Sequence, residues 1–298
     1  MPRYLGHWET QTEPAQEPVS VDQARTWLQQ SDTDATIRKA DEMLISHVLI
    51  PAARRLIERW TGRALITQTV DLWLDKDQLV GKIPLPRAPF SALDSSETAP
   101  HPVDYWTEAH VETAVDSDTY YTSGNTDQPF IALDEGESWP TDPRDYDAMR
   151  IRYDCGYGAG VIGTPAFVGS GLDDLTTGGT YCGSKNITYR IAIQTAAATD
   201  VIKWSRDAGV TWVDSSISVT GDYQLLENGL YVKLAATTGH TAGEYWTVAC
   251  TGHGVPEVYT TAILATVGDW YNRRGNLVDE DRDIPAAVKA MLPRTVKI

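Results

Sequence analysis

The sequence predicts an α+β fold: a helical bundle with a small antiparallel β-region, plus an inserted all-β sandwich domain. Three observations lead to this prediction. Apolar residues recur at helical spacing near both ends of the 298-residue chain. Short alternating strands follow the first helical region, and a segment rich in Thr, Gly and Ala separates the two helical regions.

The first helical region begins at Ser20, where Ser20-Val21-Asp22-Gln23 has the spacing of a capping box. After Asp34, one helical face is apolar, with Ile37, Ala40, Leu44, Val48, Ala52, Leu56 and Trp60. Gly62 is expected to end this helix in the left-handed conformation. Pro51 lies inside the pattern and lacks an N–H group, so we expect a kink or a break near Leu49-Ile50.

The hydrophobic period changes to two after Arg63, which predicts a β-strand from Leu65 to Leu74. The segment Lys82 to Phe90 is apolar but contains several prolines, so we expect an edge strand or an extended connector. Further short strands are predicted at 111–115, 119–122, 130–133 and 148–154. In the Thr-rich segment, Asn228-Gly229 predicts a two-residue hairpin.

Five short motifs follow one another between residues 61 and 158: Thr61-Gly62-Arg63, Leu65 to Gln68, Leu85-Pro86-Arg87-Ala88-Pro89, Trp139-Pro140 and Gly156-Tyr157-Gly158. Their order resembles that in the head-tail connector (adaptor) proteins of tailed bacteriophages. Each motif alone is ordinary turn or strand chemistry. In that family the Gly-Tyr-Gly exit leads within a few residues to a Val-Pro helix start, whereas here Val255-Pro256 comes much later, which indicates an insertion.

The predicted division has four segments: an extended N-terminal arm at 1–18, a split adaptor core at 19–160 and 255–298, and an inserted β-sandwich at 161–254. The arm has no hydrophobic period and three prolines. It could lie over a neighbouring subunit or be a disordered tail. The second half of the core is predicted to be a helix from Pro256 to Arg274 and a short helix from Ile284 to Pro293.

The net charge is −16, from 41 acidic and 25 basic residues, and argues against binding to nucleic-acid phosphates. Three widely spaced cysteines predict reduced thiols, with a Cys182–Cys250 bridge as the alternative. No apolar run is long enough for a membrane span, and the N-terminus does not have the pattern of a signal peptide. We expect no cofactor, metal ion or catalytic group.

One motif has the Asp-box pattern of sialidases and other glycan-active propellers: Ser205-Arg206-Asp207-Ala208-Gly209-Val210-Thr211-Trp212. A propeller would repeat the motif, so we expect a stapled hairpin, with glycan contact as the alternative. Aromatic residues of the insert, Trp212, Tyr231 and Trp246 among them, could stack on a sugar or form the core. Acidic groups at Asp173-Asp174, at Asp142 with Asp145 and Asp147, and at Asp279-Glu280-Asp281 are expected to be solvated turns rather than Ca²⁺ sites.

The resemblance implies a virion structural protein, not an enzyme, located in the neck at the head-tail interface and made in the host cytoplasm. Family members form an oligomeric ring, a dodecamer, between the portal protein and a neck or tail-completion protein, and DNA passes through the lumen without specific binding. The segment expected to dock on the portal is Leu292, Pro293, Arg294, Thr295, Val296, Lys297 and Ile298. The alternative is a glycan-binding or adhesin-like tail-associated protein that acts through the insert; a glycoside hydrolase would rest on the Asp-box alone.

Overall fold

The computed structural model describes residues 6–29, 35–95, 101–123, 125–273 and 285–292. These residues form two compact units. The first unit contains 6–15 and the described residues of 58–157, and the second contains the described residues of 16–57 and 158–292. The division of the core at 19–160 and 255–298 around an insert at 161–254 therefore stays a prediction about domain organisation.

The structure is mainly β, so the prediction of a helical bundle with a small β-region is wrong. In the described ranges, the strands form four sheets of six, six, three and three strands, in which all strand pairs are antiparallel. The error has a physical cause. Strands of three or four residues show only one or two alternations, whereas a helix of several turns gives a conspicuous period.

The described residues of the first unit form nine strands in two sheets. Its strands are β1 (His7–Thr12), β2 (Gln68–Leu74), β3 (Lys82–Pro84), β4 (Phe90–Leu93), β5 (Val103–Trp106), β6 (Glu112–Ala114), β7 (Tyr120–Thr122), β8 (Phe130–Leu133) and β9 (Met149–Cys155). The larger sheet has the order β1-β2-β9-β5-β6, with β4 pairing with the C-terminal end of β9. The smaller sheet has the order β3-β8-β7.

The core of this unit lies on one face of the larger sheet. Alternate residues of β2 and β9 are fully buried and face each other across the ladder, as in the pairs Val70 with Tyr153 and Leu72 with Ile151. Ile131 of the smaller sheet belongs to the same cluster. Burial of each such aliphatic side chain contributes about 1.5–3 kcal/mol to folding.

The α-helices that the structure describes belong to the second unit, apart from the end of the helix Ile50–Thr61. These helical segments are α1 (Val21–Trp27), α2 (Ala35–Leu44), a π-helical turn (Ile45–Leu49), α3 (Ile50–Thr61), α4 (Glu257–Arg273) and α5 (Ala286–Met291), of which α3 continues into the first unit. The capping box at Ser20 is confirmed, because its hydroxyl accepts from the amide of Gln23 and the Gln23 side chain accepts from the amide of Ser20. Pro51 follows the π-helical turn, in which the amide of Ile50 donates to the carbonyl of Ile45. The wider turn accommodates the proline ring without ending the helix.

The remaining strands of the second unit form two sheets. They are β10 (Val161–Ile162), β11 (Ala166–Val168), β12 (Leu175–Gly179), β13 (Ile187–Thr195), β14 (Val201–Ser205), β15 (Asp214–Ser218), β16 (Gln224–Glu227), β17 (Leu230–Leu234) and β18 (Tyr245–Thr251). One sheet has the order β10-β18-β13-β14-β15, with β11 also on β18, and the other has the order β12-β17-β16. Both contribute to one core, which includes Tyr189, Trp204 and Trp246. The Asn228-Gly229 hairpin is confirmed, with positive φ at both residues.

All three cysteines are free thiols and buried, as expected of a reduced protein. Burial raises the pKa of Cys155 and of Cys182 to about 12, and that of Cys250 to about 11. Since the thiolate is the reactive form, these groups are inert in the folded protein.

Candidate functional site

The end of α3 is joined to the proline-containing segment by two backbone hydrogen bonds. The amide of Ala64 donates to the carbonyl of Ala88 at 2.7 Å, and the amide of Ala88 donates to the carbonyl of Gly62 at 3.3 Å. Gly62 has φ of +66°, so it ends the helix in the predicted left-handed conformation. The chain therefore pairs with 85–89 as soon as it leaves the helix.

The exit from β9 closes onto both of these segments. The amide of Gly156 donates to the carbonyl of Pro89 at 2.9 Å, and the amide of Tyr157 donates to the carbonyl of Leu65 at 3.3 Å. The guanidinium of Arg63 donates to the Tyr157 hydroxyl at 2.9 Å. We call residues 61–65, 85–89 and 156–157 the junction. Because Leu65 belongs to it, β2 begins at Gln68 and not at Leu65 as predicted.

Polar side chains fix the junction from inside the first unit. The Tyr153 hydroxyl accepts from the amide of Arg87 at 3.0 Å, and the Arg87 guanidinium donates to the carbonyl of Arg63 at 3.0 Å. Burial raises the pKa of Tyr153 well above its usual value, so the phenol stays neutral. The buried carboxylate of Glu58 accepts from the Leu65 amide at 2.9 Å and from the Gln68 side chain at 3.1 Å. The sequence motifs did not include Glu58 or Tyr153.

The Trp139-Pro140 motif belongs to the core of the unit instead. The Trp139 side chain is buried, and its indole N–H donates to the carbonyl of Val80 at 2.8 Å. Its ring stacks on that of Tyr120 with 6.3 Å between the centroids. Thus four of the five motifs meet at the junction, and Trp139-Pro140 stabilises the packing around the smaller sheet.

The larger sheet of the first unit carries aromatic and cationic side chains on the face opposite its core. Trp73 pairs with His7 on one side and with Arg150 on the other, while its sequence neighbours Leu72 and Leu74 are buried. The Trp73 and His7 rings stack at 6.3 Å with 9° between their planes, and the Trp73 and Trp106 rings are 5.1 Å apart. We call the residues His7, Trp73, Trp106, Arg144 and Arg150 the Trp–Arg face.

Two arginine–carboxylate pairs lie on the same side of this sheet. Arg152 forms a bidentate pair with Asp71, with both N–O distances at 2.6 Å. The hydrogen bond to Asp71 raises the pKa of Arg152. Arg150 pairs with Asp104 and lies 3.4 Å from Glu112. The carboxylates of Asp71 and Asp104 are almost fully buried, so these pairs hold the side chains of the face in fixed positions.

The Asp-box motif of the second unit is a stapled turn, as predicted. The buried hydroxyl of Ser205 accepts from the amides of Asp207 and Gly209 at 3.1 and 2.9 Å. The Asp207 carboxylate accepts from the amide and the hydroxyl of Thr211 at 2.8 and 2.5 Å. Hydrogen bonds from Ser205 and Thr211 lower the pKa of Asp207. The carboxylate is therefore fully engaged in the turn.

The three residues named for glycan contact occupy different environments. Trp246 has no exposed surface, and its indole N–H donates to the carboxylate of Asp173 at 2.8 Å. Trp212 is partly exposed, with the Lys203 ammonium 4.2 Å from its ring centroid, and Tyr231 is partly buried in β17. Glycan contact could therefore involve only Trp212 and Tyr231, and it stays a prediction.

A buried histidine between two carboxylates is the strongest polar cluster of the second unit, and no sequence motif indicated it. The His240 side chain is fully buried, with Nδ1 2.8 Å from Asp200 and Nε2 2.9 Å from Asp174. Burial opposes a charged imidazole, but the hydrogen bonds and charges of Asp174 and Asp200 outweigh it and raise the pKa of His240. Burial also opposes the charge of Asp200, yet hydrogen bonds from Ala197 and His240 outweigh it and lower the pKa of Asp200.

The acidic groups considered for Ca²⁺ do not converge on a site in the described part of the chain. Asp173 and Asp174 are engaged by Trp246 and His240, and no group of three or more His, Cys, Asp or Glu side chains among the described residues is arranged to hold a metal ion. The group at 279–281 lies outside the described residues.

The predicted portal-docking segment is described only at its first residue. Leu292 is buried, and its amide donates to the carbonyl of Val288 at 3.2 Å, at the end of α5. Residues 293–298 lie outside the described residues, so docking by this segment stays a prediction. In the ranges that the structure describes, no helix is long and apolar enough to cross a membrane.

No protein-family model matches this sequence, and no curated protein matches it. Among solved structures, the chain is similar to a chain in the neck of an empty GTA particle computed with C6 symmetry, with 21% identity, a TM-score of 0.41, and coverage of 51% of this chain and 72% of that chain. It is also similar to a chain in the virion of a native gene transfer agent (GTA) particle, with 22% identity, a TM-score of 0.35 and the same coverage. Similarity at this level carries no argument about function.

We expect Gly156→Ala to destabilise the first unit strongly. Gly156 has φ of +125°, and a Cβ atom would lie 2.6 Å from the backbone carbonyl of Ile66, which cannot move without breaking the junction. The loss should be at least about 3 kcal/mol in the free energy of unfolding, measured by urea denaturation. The matched control is Gly136→Ala, with φ of +88° and no atom within 4 Å of the added carbon. This control should lose only about 1–2 kcal/mol, and equal losses in both variants would contradict the importance of the close approach.

The stability of the second unit should depend on the charge of His240. Since the pKa of His240 is raised on folding, its stabilising charge is fully present below the ordinary value of 6.5 and is lost as pH rises through the folded value. Urea unfolding of the full chain between pH 5.5 and 9, followed by tryptophan fluorescence, should show this decline.

The variant His240→Gln should lose this dependence of the free energy of unfolding on pH. At pH 6 its free energy of unfolding should fall by about 3–5 kcal/mol, because Asp200 is left buried without the imidazolium. The control is His110→Gln, at an exposed turn, which should keep the wild-type pH dependence. An unchanged slope in His240→Gln would show that this cluster does not titrate in the expected range.

Proposed function

We propose that this protein is a virion structural protein, a head-tail adaptor that forms an oligomeric ring between the portal and the next neck component. One observation supports this proposal above others. Four of the five motifs that resemble the adaptor family meet in a single hydrogen-bonded junction, although they are distant in sequence. Unrelated motifs would not be expected to pack against one another. We therefore infer that the four motifs form one structural unit.

The charge of the chain suits a channel for DNA. With 41 acidic and 25 basic residues, the protein repels a polyanion on average and would give it little to bind. A ring wall of this composition would let DNA pass without holding it. In this role the protein is a structural component. The polar clusters at Asp207 and His240 stabilise its turns and loops.

The ring should be observable with the purified protein alone. We expect mass photometry to show a single large oligomer, whose fraction of the total protein increases with concentration. Negative-stain electron microscopy should show closed rings with an open centre. The number of subunits, twelve in the family that the motifs resemble, would be counted from class averages. A protein that stays monomeric at all accessible concentrations would contradict the proposed function.

The C-terminal segment is proposed to dock on the portal. A variant that ends at Leu292, and thus lacks 293–298, should still form rings but should lose co-sedimentation with a purified candidate portal protein. The control is Val210→Ser on the Asp-box turn, where the side chain is 81% exposed and no contact with a portal is proposed. Portal binding by the truncated variant at the wild-type level would contradict docking through this segment.

A further inference from the structure

We propose that the Trp–Arg face of the first unit is the surface through which one copy of this chain contacts a second copy. The inference rests on the proposed ring and names the surface that would form it. Its side chains lie on strands β1, β2, β5 and β9 and on the turn that precedes β9, on the side of the sheet away from the core.

The composition of the face is that of a binding surface. Tryptophan, tyrosine and arginine are the residues that contribute most to protein–protein contacts, because each offers a large rigid area with a polar end. The Arg150 guanidinium lies 5.9 Å from the Trp73 ring and 5.6 Å from the Trp106 ring, and the Arg144 guanidinium lies 5.0 Å from Trp106. Since stacking and ion pairs already fix these side chains, binding would cost little conformational entropy.

Tyr146 lies between Arg144 and the start of β9, and 77% of its surface is exposed. Its neighbours in sequence touch the face directly. The amide of Arg144 donates to the carbonyl of Trp106 at 2.8 Å, and the Asp147 carboxylate lies 3.6 Å from the His7 ring. An exposed tyrosine two residues from Arg144 adds to the apolar area that a partner could cover.

Arg144 indicates the charge of the partner. In the described ranges, Arg150 and Arg152 each pair with a carboxylate, but no ion pair includes Arg144. Its Nε donates to the carbonyl of Asp147 at 2.9 Å, and its guanidinium stacks on Trp106. This positive charge is thus held in place beside an aromatic surface, in a geometry suited to a carboxylate from outside.

A second copy of this chain fits that requirement. The chain has a net charge of −16, so the surface of another copy offers many carboxylates that could pair with Arg144. The sheet that carries the face ends at β1 and β6, and in the described part of the chain neither has a strand on its outer side. A partner can therefore approach the face past either edge of the sheet. This is compatible with the head-to-tail contacts of a ring, in which one surface of a subunit meets a different surface of the next copy.

The contact is tested first by photo-cross-linking of the full chain. Tyr146→p-benzoylphenylalanine places a reactive aromatic group two residues from Arg144 of the face, and irradiation of the purified protein should give covalent dimers and higher multimers on a denaturing gel. The matched control carries the same group at Tyr223, which is 52% exposed and belongs to the second unit. The variant with this group at position 223 should remain monomeric on the denaturing gel.

Charge reversal tests the role of Arg144. Arg144→Glu should raise the protein concentration needed for half-maximal assembly at least tenfold, and added salt should weaken wild-type assembly in the same direction. The matched control is Lys82→Glu, because Lys82 also stacks on an aromatic ring of the first unit, 3.9 Å from the centroid of Phe130, but lies outside the face. It should assemble as the wild type does, and circular dichroism should show that both variants are folded.

The outcomes separate the inference from the proposed function. Rings that form without cross-linking at position 146, and that tolerate Arg144→Glu, overturn the inference and leave the ring intact. Equal cross-linking at positions 146 and 223 also overturns it, because the contact would then be non-specific. If the wild-type chain forms no oligomer at any concentration, the proposed ring fails, and the inference fails with it.

Discussion

The first unit depends on the closure of its backbone at the junction. Residues 62–65, 85–89 and 156–157 exchange backbone hydrogen bonds, so the end of α3, the connector before β4 and the exit from β9 meet at one place. Backbone hydrogen bonds require the chain segments to approach each other closely. Gly156 allows this approach, because a side chain at position 156 would overlap the backbone of Ile66. The sheet and its core lie between the chain segments that the junction holds together.

In both units, several buried charged side chains have partners of opposite charge. Arg152 with Asp71 in the first unit, and His240 with Asp174 and Asp200 in the second, satisfy one another by direct hydrogen bonds. Removing a charge from water costs several kcal/mol, so such pairs add little net stability. Their effect is to fix geometry. On the sheet of the first unit, the pair of Arg150 with Asp104 holds the guanidinium beside Trp73 and Trp106 in one arrangement.

Local features were predicted well from the sequence. The capping box at Ser20, the helix end at Gly62, the Asn228-Gly229 hairpin and the Asp-box turn all depend on residues within a few positions of each other. The balance of helix and strand was predicted wrongly. Strands such as β5 and β4 are too short to show an alternating period, and they exist because β9 provides the backbone groups with which they pair.

The sequence by itself determined the ends of the helices, the types of turn and the order of the motifs, because these follow from local backbone chemistry and spacing. Only the tertiary structure decided that four motifs meet at the junction, that Trp246 is core rather than surface, and that His240 lies between two carboxylates. It also brought Trp73, Trp106 and Arg144 onto one face. These arrangements depend on pairing between distant strands, and the free energy of that pairing comes from the whole core rather than from any short segment.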